Sequence, residues 1–215
     1  NEYERLQFRF GGQQAESDAN SAFFLFAFIV GIFLMSILLM VQLNSFYQVF
    51  IIVSAVILST AGVQLGLLVT QQISSALFTS LGVIALAGIV VNNNIVLVDT
   101  YNVITKENPN LSREQIVIRT AAQRLRPIIL TTATTVIGLL PLASGIGVDF
   151  YQRDIEIGGR VSEWWQPMSF AVVCGLSFAS VITLFLTPCW LMLPVKIRES
   201  INKLKTLFVK SASER

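Results

Sequence analysis

The chain has 215 residues, of which 53% are hydrophobic and only 13% charged, with 15 Phe and no His. Soluble domains carry about a quarter charged residues, so this composition is built for an apolar solvent. The lack of His excludes His-ligated metals, His-based triads and His proton shuttles, and with neither HExxH nor GxSxG present an intramembrane hydrolase has little support. An enzyme, a cofactor or metal site, and nucleic-acid binding are not expected.

The first 20 residues, NEYERLQFRFGGQQAESDAN, are polar and contain no apolar core of a signal peptide. Alternation in YERLQFRF predicts a strand ended by a turn at Gly11-Gly12. A lone strand is not stable, so residues 1–20 are expected to be the end of a sheet whose other strands are missing here plus a linker, and the chain to be a fragment.

Residues 19–98 hold no Asp, Glu, Lys or Arg, a gap of 80 residues. A helix crosses hydrocarbon in about 20 apolar residues, so the gap predicts three crossings and two short turns. They fall at 22–41, 49–69 and 75–98. Small residues Ser54, Ser59, Gly62 and Gly66 suit the second span to close helix contact. The segment 100–123 is hydrophilic, with Ser112 a plausible N-cap for REQIVIRTAAQRL. The fourth span is expected at 126–142, with Pro127 in its first turn, followed by a loop at 143–166 and a fifth span at 167–193. Cys174 and Cys189 both fall in the fifth span, too far apart along one helix to bridge, and are expected as buried fillers. Residues 196–215 form a basic tail with Ile197, Ile201, Leu204 and Phe208 on one helical face, expected to lie on the anionic inner leaflet. The predicted fold is thus an all-α membrane protein: a bundle of five transmembrane helices over 21–195 and a C-terminal interfacial helix.

Basic residues orient the bundle. Arg5, Arg9, Arg153 and Arg160 belong to one side; Lys106, Arg113, Arg119, Arg124, Arg126, Lys196, Arg198, Lys203, Lys205, Lys210 and Arg215 belong to the other. That bias predicts an outside N-terminus and a cytoplasmic C-terminus. Arg124 and Arg126 flank a cytoplasmic membrane entry, and Trp164, Trp165 and Trp190 near the ends of the fifth span are expected as interfacial anchors.

Within this apolar run, GIVVNNNIVLVD (88–99) places Asn92, Asn93 and Asn94 in a row, then Asp99. Residues seven apart share a helix face, so Asn92 and Asp99 look the same way, while the other two amides spread the polar surface over about 200°. In the fourth span Thr131, Thr135 and Gly138 share a stripe, with Thr132 beside it. Amides on one helix and hydroxyls on the other are expected to form a polar seam. Two readings of that seam stand side by side. Asn serves as interhelical glue, with Thr bonding its own preceding carbonyls, or the cluster lines an ion or proton path. On the first, Asp99 only snorkels to the headgroups.

The segments FGGQQAE (10–16), GIVVNNNIVLVD (88–99) followed by Asn102, and RLRPIILTTATTVIGLLPLA (124–143) together resemble the resistance–nodulation–division (RND) efflux pumps, in particular the hydrophobe/amphiphile exporters that confer multidrug resistance. The resemblance covers essentially the whole chain and implies the last five of twelve spans of a proton-driven antiporter in the bacterial inner membrane. It also implies partners: an N-terminal half carrying relay aspartates, a homotrimer, a periplasmic adaptor and an outer-membrane channel. Carried over residue by residue, Asn92 stands where many drug exporters have a lysine, Asn93 matches the asparagine that follows it, and Thr131 matches the relay threonine. Asn94, Asp99, Thr132 and Thr135 complete the candidate coupling set. The missing lysine is a departure. An amide neither takes up nor releases a proton at physiological pH, so Asn92 is expected only to orient a carboxylate or hold water beside it. Two alternatives remain: a relative that assists protein translocation, and an inactive or structural module from a truncated or split gene.

Overall fold

The computed structural model describes the backbone of residues 13–71, 75–149 and 154–213, and side chains within 18–71, 75–147, 158–159 and 162–194. The strand expected at 3–10 and its Gly11-Gly12 turn lie outside the described residues. Five helices follow one another: α1 Gln13–Leu43, α2 Phe46–Thr70, α3 Ala76–Glu107, α4 Arg113–Ala143 and α5 Arg160–Ser213. All five contain stretches long and apolar enough to cross a membrane, namely Asp18–Leu43, Phe46–Thr70, Ala76–Glu107, Arg113–Ala143 and Ser162–Pro194. The all-α bundle and its five spans therefore stand as the composition predicts.

The connections from α1 to α2 and from α3 to α4 are short. α1 turns into α2 through Asn44, whose φ of 48° takes the left-handed conformation that Asn tolerates better than most side chains. Between α3 and α4 only residues 108–112 leave the helix, and Ser112 caps α4 as predicted. Its hydroxyl accepts from the Gln115 backbone N–H, while its own N–H donates to the Gln115 side chain, a reciprocal capping box.

Three expectations need correction here. Pro127 does not stand in the first turn of a helix. α4 is already helical from Arg113, and Pro127 lies in its interior. Packing explains the continuity: Ile116 and Val117 are buried with Tyr101 and Ile104 of α3, so the amphipathic first half is held as helix before the apolar half begins. The stretch at 143–166 is not a plain loop. β1 Ile146–Asp149 pairs antiparallel with β2 Asp154–Ile157, with Ile146 opposite Ile157, and α5 starts at Arg160. Gly145 and Gly158 bracket the hairpin with φ of +75° and +83°, a region open to glycine at little steric cost. Finally, Cys189 is exposed, whereas Cys174 is partly enclosed.

α5 is the hub of the bundle, and small residues let α2 and α3 come up to it. A Cβ on Gly62 would fall 2.5 Å from Phe178 Cβ, one on Gly66 would fall 2.5 Å from Cys174 Cβ, and one on Gly82 would fall 2.8 Å from the Met168 carbonyl oxygen. This close approach is how helices associate in lipid, where burial of apolar surface gives no drive of its own. The core between them holds Ile52, Val56, Val63, Leu86 and Val98, all 0% exposed.

Contacts at the two ends fit an up-and-down order. At one end the Tyr47 hydroxyl donates to the Trp190 carbonyl, Phe50 stacks on Trp190 at 5.6 Å, and Gln48 and Asn102 exchange amide bonds of 2.7 and 3.0 Å. At the other end Phe78 meets Trp165 at 5.9 Å, and Gln166 donates to the Ala143 carbonyl. Trp164 and Trp165 are exposed, as interfacial residues are, but Trp190 is tied into the α2–α5 contact. The backbone of α5 runs unbroken from the fifth span into the basic tail; the apolar face expected there at Ile197, Ile201, Leu204 and Phe208 involves side chains outside the described set.

Candidate functional site: the polar faces of the third helix

Successive residues on a helix turn by about 100°, so three asparagines in a row cannot share one environment. Asn92 is exposed, Asn93 is half-buried and Asn94 is fully buried. Asn94 Nδ2 donates to the Val90 carbonyl at 2.9 Å and to Thr183 Oγ1 at 3.4 Å, and Asn94 Oδ1 accepts from Thr187 Oγ1 at 3.0 Å. Asp99 lies exposed on the same side as Asn92, as the seven-residue spacing predicts. Among the described residues neither Asn92, Asn93 nor Asp99 makes a side-chain hydrogen bond.

The threonines of α4 do not meet these amides. Thr131 Oγ1 bonds the Ile128 carbonyl at 3.0 Å and Thr135 Oγ1 the Thr131 carbonyl at 2.8 Å, so both satisfy themselves on their own helix. Thr132 instead pairs with Ser180 Oγ of α5 at 2.6 Å. The expected α3–α4 seam is therefore replaced by two seams that both end on α5: Asn94 with Thr183 and Thr187, and Thr132 with Ser180. The reason is the hub position of α5, which stands between the polar stripes of its neighbours. Ser180, Thr183 and Thr187 give little signal in one dimension, because Ser and Thr at single turns read as ordinary helix residues. Their spacing of three and four is the available clue.

Arg124 is likewise drawn inward. Its Nε donates to Thr100 Oγ1 of α3, so it ties α4 to α3, while Arg126 is exposed. Beside that tie lies a polar cleft of about 360 Å³, lined among others by Asp99, Glu107, Asn108, Arg119 and Arg124. The cleft continues the open polar face of α3 from Asp99 to the end of the bundle.

Five helices long and apolar enough to cross a membrane, the third with polar faces, define the class of the polytopic membrane proteins. The family profile described as the AcrB/AcrD/AcrF family matches residues 4–194. The chain belongs to that family, the RND efflux transporters, which are not enzymes. It is 34% identical over 134 residues to multidrug resistance protein MdtC of Citrobacter koseri, covering 61% of this chain and 12% of that protein. It is 30% identical over 162 residues to swarming motility protein SwrC of Bacillus subtilis, covering 75% of this chain and 14% of that protein. Among solved structures it resembles a heavy metal efflux pump with a TM-score of 0.60 and 28% identity, covering 77% of this chain and 15% of that one. The chain thus spans about an eighth of the length of these curated relatives.

Proposed function

We propose that the chain is the C-terminal membrane segment of a proton-driven exporter of drugs or other amphiphilic compounds, and that the open face of α3 takes part in energy coupling. The observation that carries this reading is the pair Asn92 and Asp99: two polar side chains on one exposed face of a spanning helix, without a hydrogen-bond partner among the described residues. Polar groups within a bilayer are expensive and face a bundle interior or water-filled space. On this reading Asn92 and Asn93 orient aspartates supplied by the N-terminal half of the transporter, and Thr131 and Thr135 border the same space. The cleft beside Asp99 opens that space toward the basic, cytoplasmic end. The N-terminal end of the chain is periplasmic, and the assembled pump is a trimer in the inner membrane, working with an adaptor and an outer-membrane channel. The bias of Lys and Arg toward one end of the bundle and the multidrug names of relatives support this placement and substrate class.

The test is replacement of Asn92 and Asn93 by Leu together in the intact transporter. Export is expected to fall to the level of cells lacking the pump, with insertion and folding unchanged. Full drug resistance in that variant defeats the proposal.

A further inference from the structure

Asn94 differs from its two neighbours in having every polar atom of its amide engaged: with Val90 of its own helix, and with Thr183 and Thr187 of α5. Asn94 is 0% exposed, Thr183 2% and Thr187 1%, so these are dry contacts between two spanning helices. Between Val83 and Val98 the other buried residues of α3 are all aliphatic, namely Leu86, Ala87, Val90, Val91, Leu97 and Val98, while Thr100 and Asn102 bond α4 and α2 nearer the helix end. Such side chains offer no directional bond of their own, and lipid offers no hydrophobic penalty for exposing them. The amide is different, because its bonds are directional. Turning α3 by one residue, about 100°, breaks both bonds to α5 and leaves the amide only its own-helix bond to Val90, with its oxygen and both threonine hydroxyls cut off from their interhelical partners.

We propose that Asn94 is a positioning residue that sets the rotation of α3 about its own axis by locking onto Thr183 and Thr187, and thereby aims Asn92 and Asp99 at the open face. Counted at 100° per residue, Asn92 points about 160° and Asp99 about 140° away from Asn94. Clamping one side of the helix therefore fixes both polar groups on the other, within about 20° of each other. This deepens the coupling reading above and rests on it only for its consequence, since the clamp itself is a statement about helix orientation.

The experiment measures orientation and transport separately. Single spin labels are placed at Val91, Asn92, Val98 and Asp99 in a background with Cys174→Ala and Cys189→Ala, in the full chain reconstituted in liposomes, and accessibility to dissolved oxygen is read at each. Labels at 92 and 99 are expected to be accessible and those at 91 and 98 protected. Asn94→Leu is expected to shift the accessible face along α3 by about one residue, or 100°. Thr183→Val with Thr187→Val, which keeps side-chain volume, is expected to do the same should Asn94→Leu fail to insert. Losing two interhelical bonds of the strength found in membranes corresponds to about a tenfold fall in the correctly turned population. The exchange Asn94→Thr with Thr187→Asn rebuilds the bond with its ends swapped and is expected to restore the accessibility pattern, which a role in packing alone does not predict. An unchanged pattern in both Asn94→Leu and the threonine double variant overturns the clamp, whatever happens to transport. A shifted pattern with undiminished export in the intact transporter upholds the clamp and removes the coupling role of Asn92 instead.

Discussion

Asn92 and Asn94 are the same residue type, two positions apart on one helix, and their surroundings are opposite: Asn94 has three hydrogen bonds in a closed interface, while Asn92 is exposed and has none among the described residues. The same division runs through whole helices. The spanning windows of α2, α3 and α5 are 39%, 44% and 39% buried, whereas those of α1 and α4 are 6% buried. α2, α3 and α5 form a finished core, whereas α1 and α4 present apolar side chains such as Phe23, Phe33, Leu130 and Ile137, all more than half exposed. Asn94, on the finished side, is spoken for by its neighbours and works for architecture. A polar side chain on the open side is available to whatever meets that face. Residue type alone does not separate these roles.

The comparison breaks most visibly at glycine. Gly82 on the closed side faces the Met168 carbonyl, which belongs to the backbone and does not yield, while Gly88 on the open side has nothing within 4 Å of a built Cβ. Gly82→Leu is expected to destabilise the chain by about 3 kcal/mol, at the upper end of overpacking effects. Gly88→Leu is expected to be neutral or to stabilise by up to about 1 kcal/mol, the helix propensity gained over Gly. Unfolding of the chain in mixed micelles measures both. Equal losses at the two positions erase the distinction between the faces.

The asparagines sharpen the same contrast at smaller scale. Asn94→Leu leaves Thr183 and Thr187 short of a partner inside the core and is expected to cost about 2 kcal/mol, the penalty of unsatisfied buried groups. Asn92→Leu is expected to change stability by less than about 0.5 kcal/mol, as open-surface substitutions do. The same micelle assay separates them, and a cost at Asn92 matching that at Asn94 counts against an open face. Smallest of the three, Ser112→Ala removes one half of the capping box at the start of α4 and is expected to cost about 1 kcal/mol, read as a loss of helicity and a lower midpoint. Ser112→Asp is expected to restore most of it.

Much of this architecture is legible in the residues themselves. The uncharged run over residues 19–98 announces three crossings because a charge in hydrocarbon is costly whatever the neighbours do. Ser112 with Gln115 three residues later announces a helix start, since that bond forms within a single turn. Gly62 and Gly66 read as contact points, and both lie against α5. By contrast, Pro127 misleads because a proline at a helix start and one inside a helix held by flanking packing look alike in one dimension. The bond from Arg124 to Thr100 of the neighbouring helix is likewise not legible in one dimension, since it joins residues 24 apart.

Length, charge and helical period are enough to set how many times the chain crosses the bilayer, roughly where, and that a polar stripe runs through its third span. All three are local to one segment and need no partner helix to be read. Packing between helices chooses which asparagine is clamped and which is open, sends the seams to α5 rather than between α3 and α4, and brings two basic side chains, Arg119 and Arg124, to the border of a cleft. The rotation of a helix about its own axis depends on the neighbours it packs against, and in lipid that choice rests on close-fitting small residues and a few directional bonds.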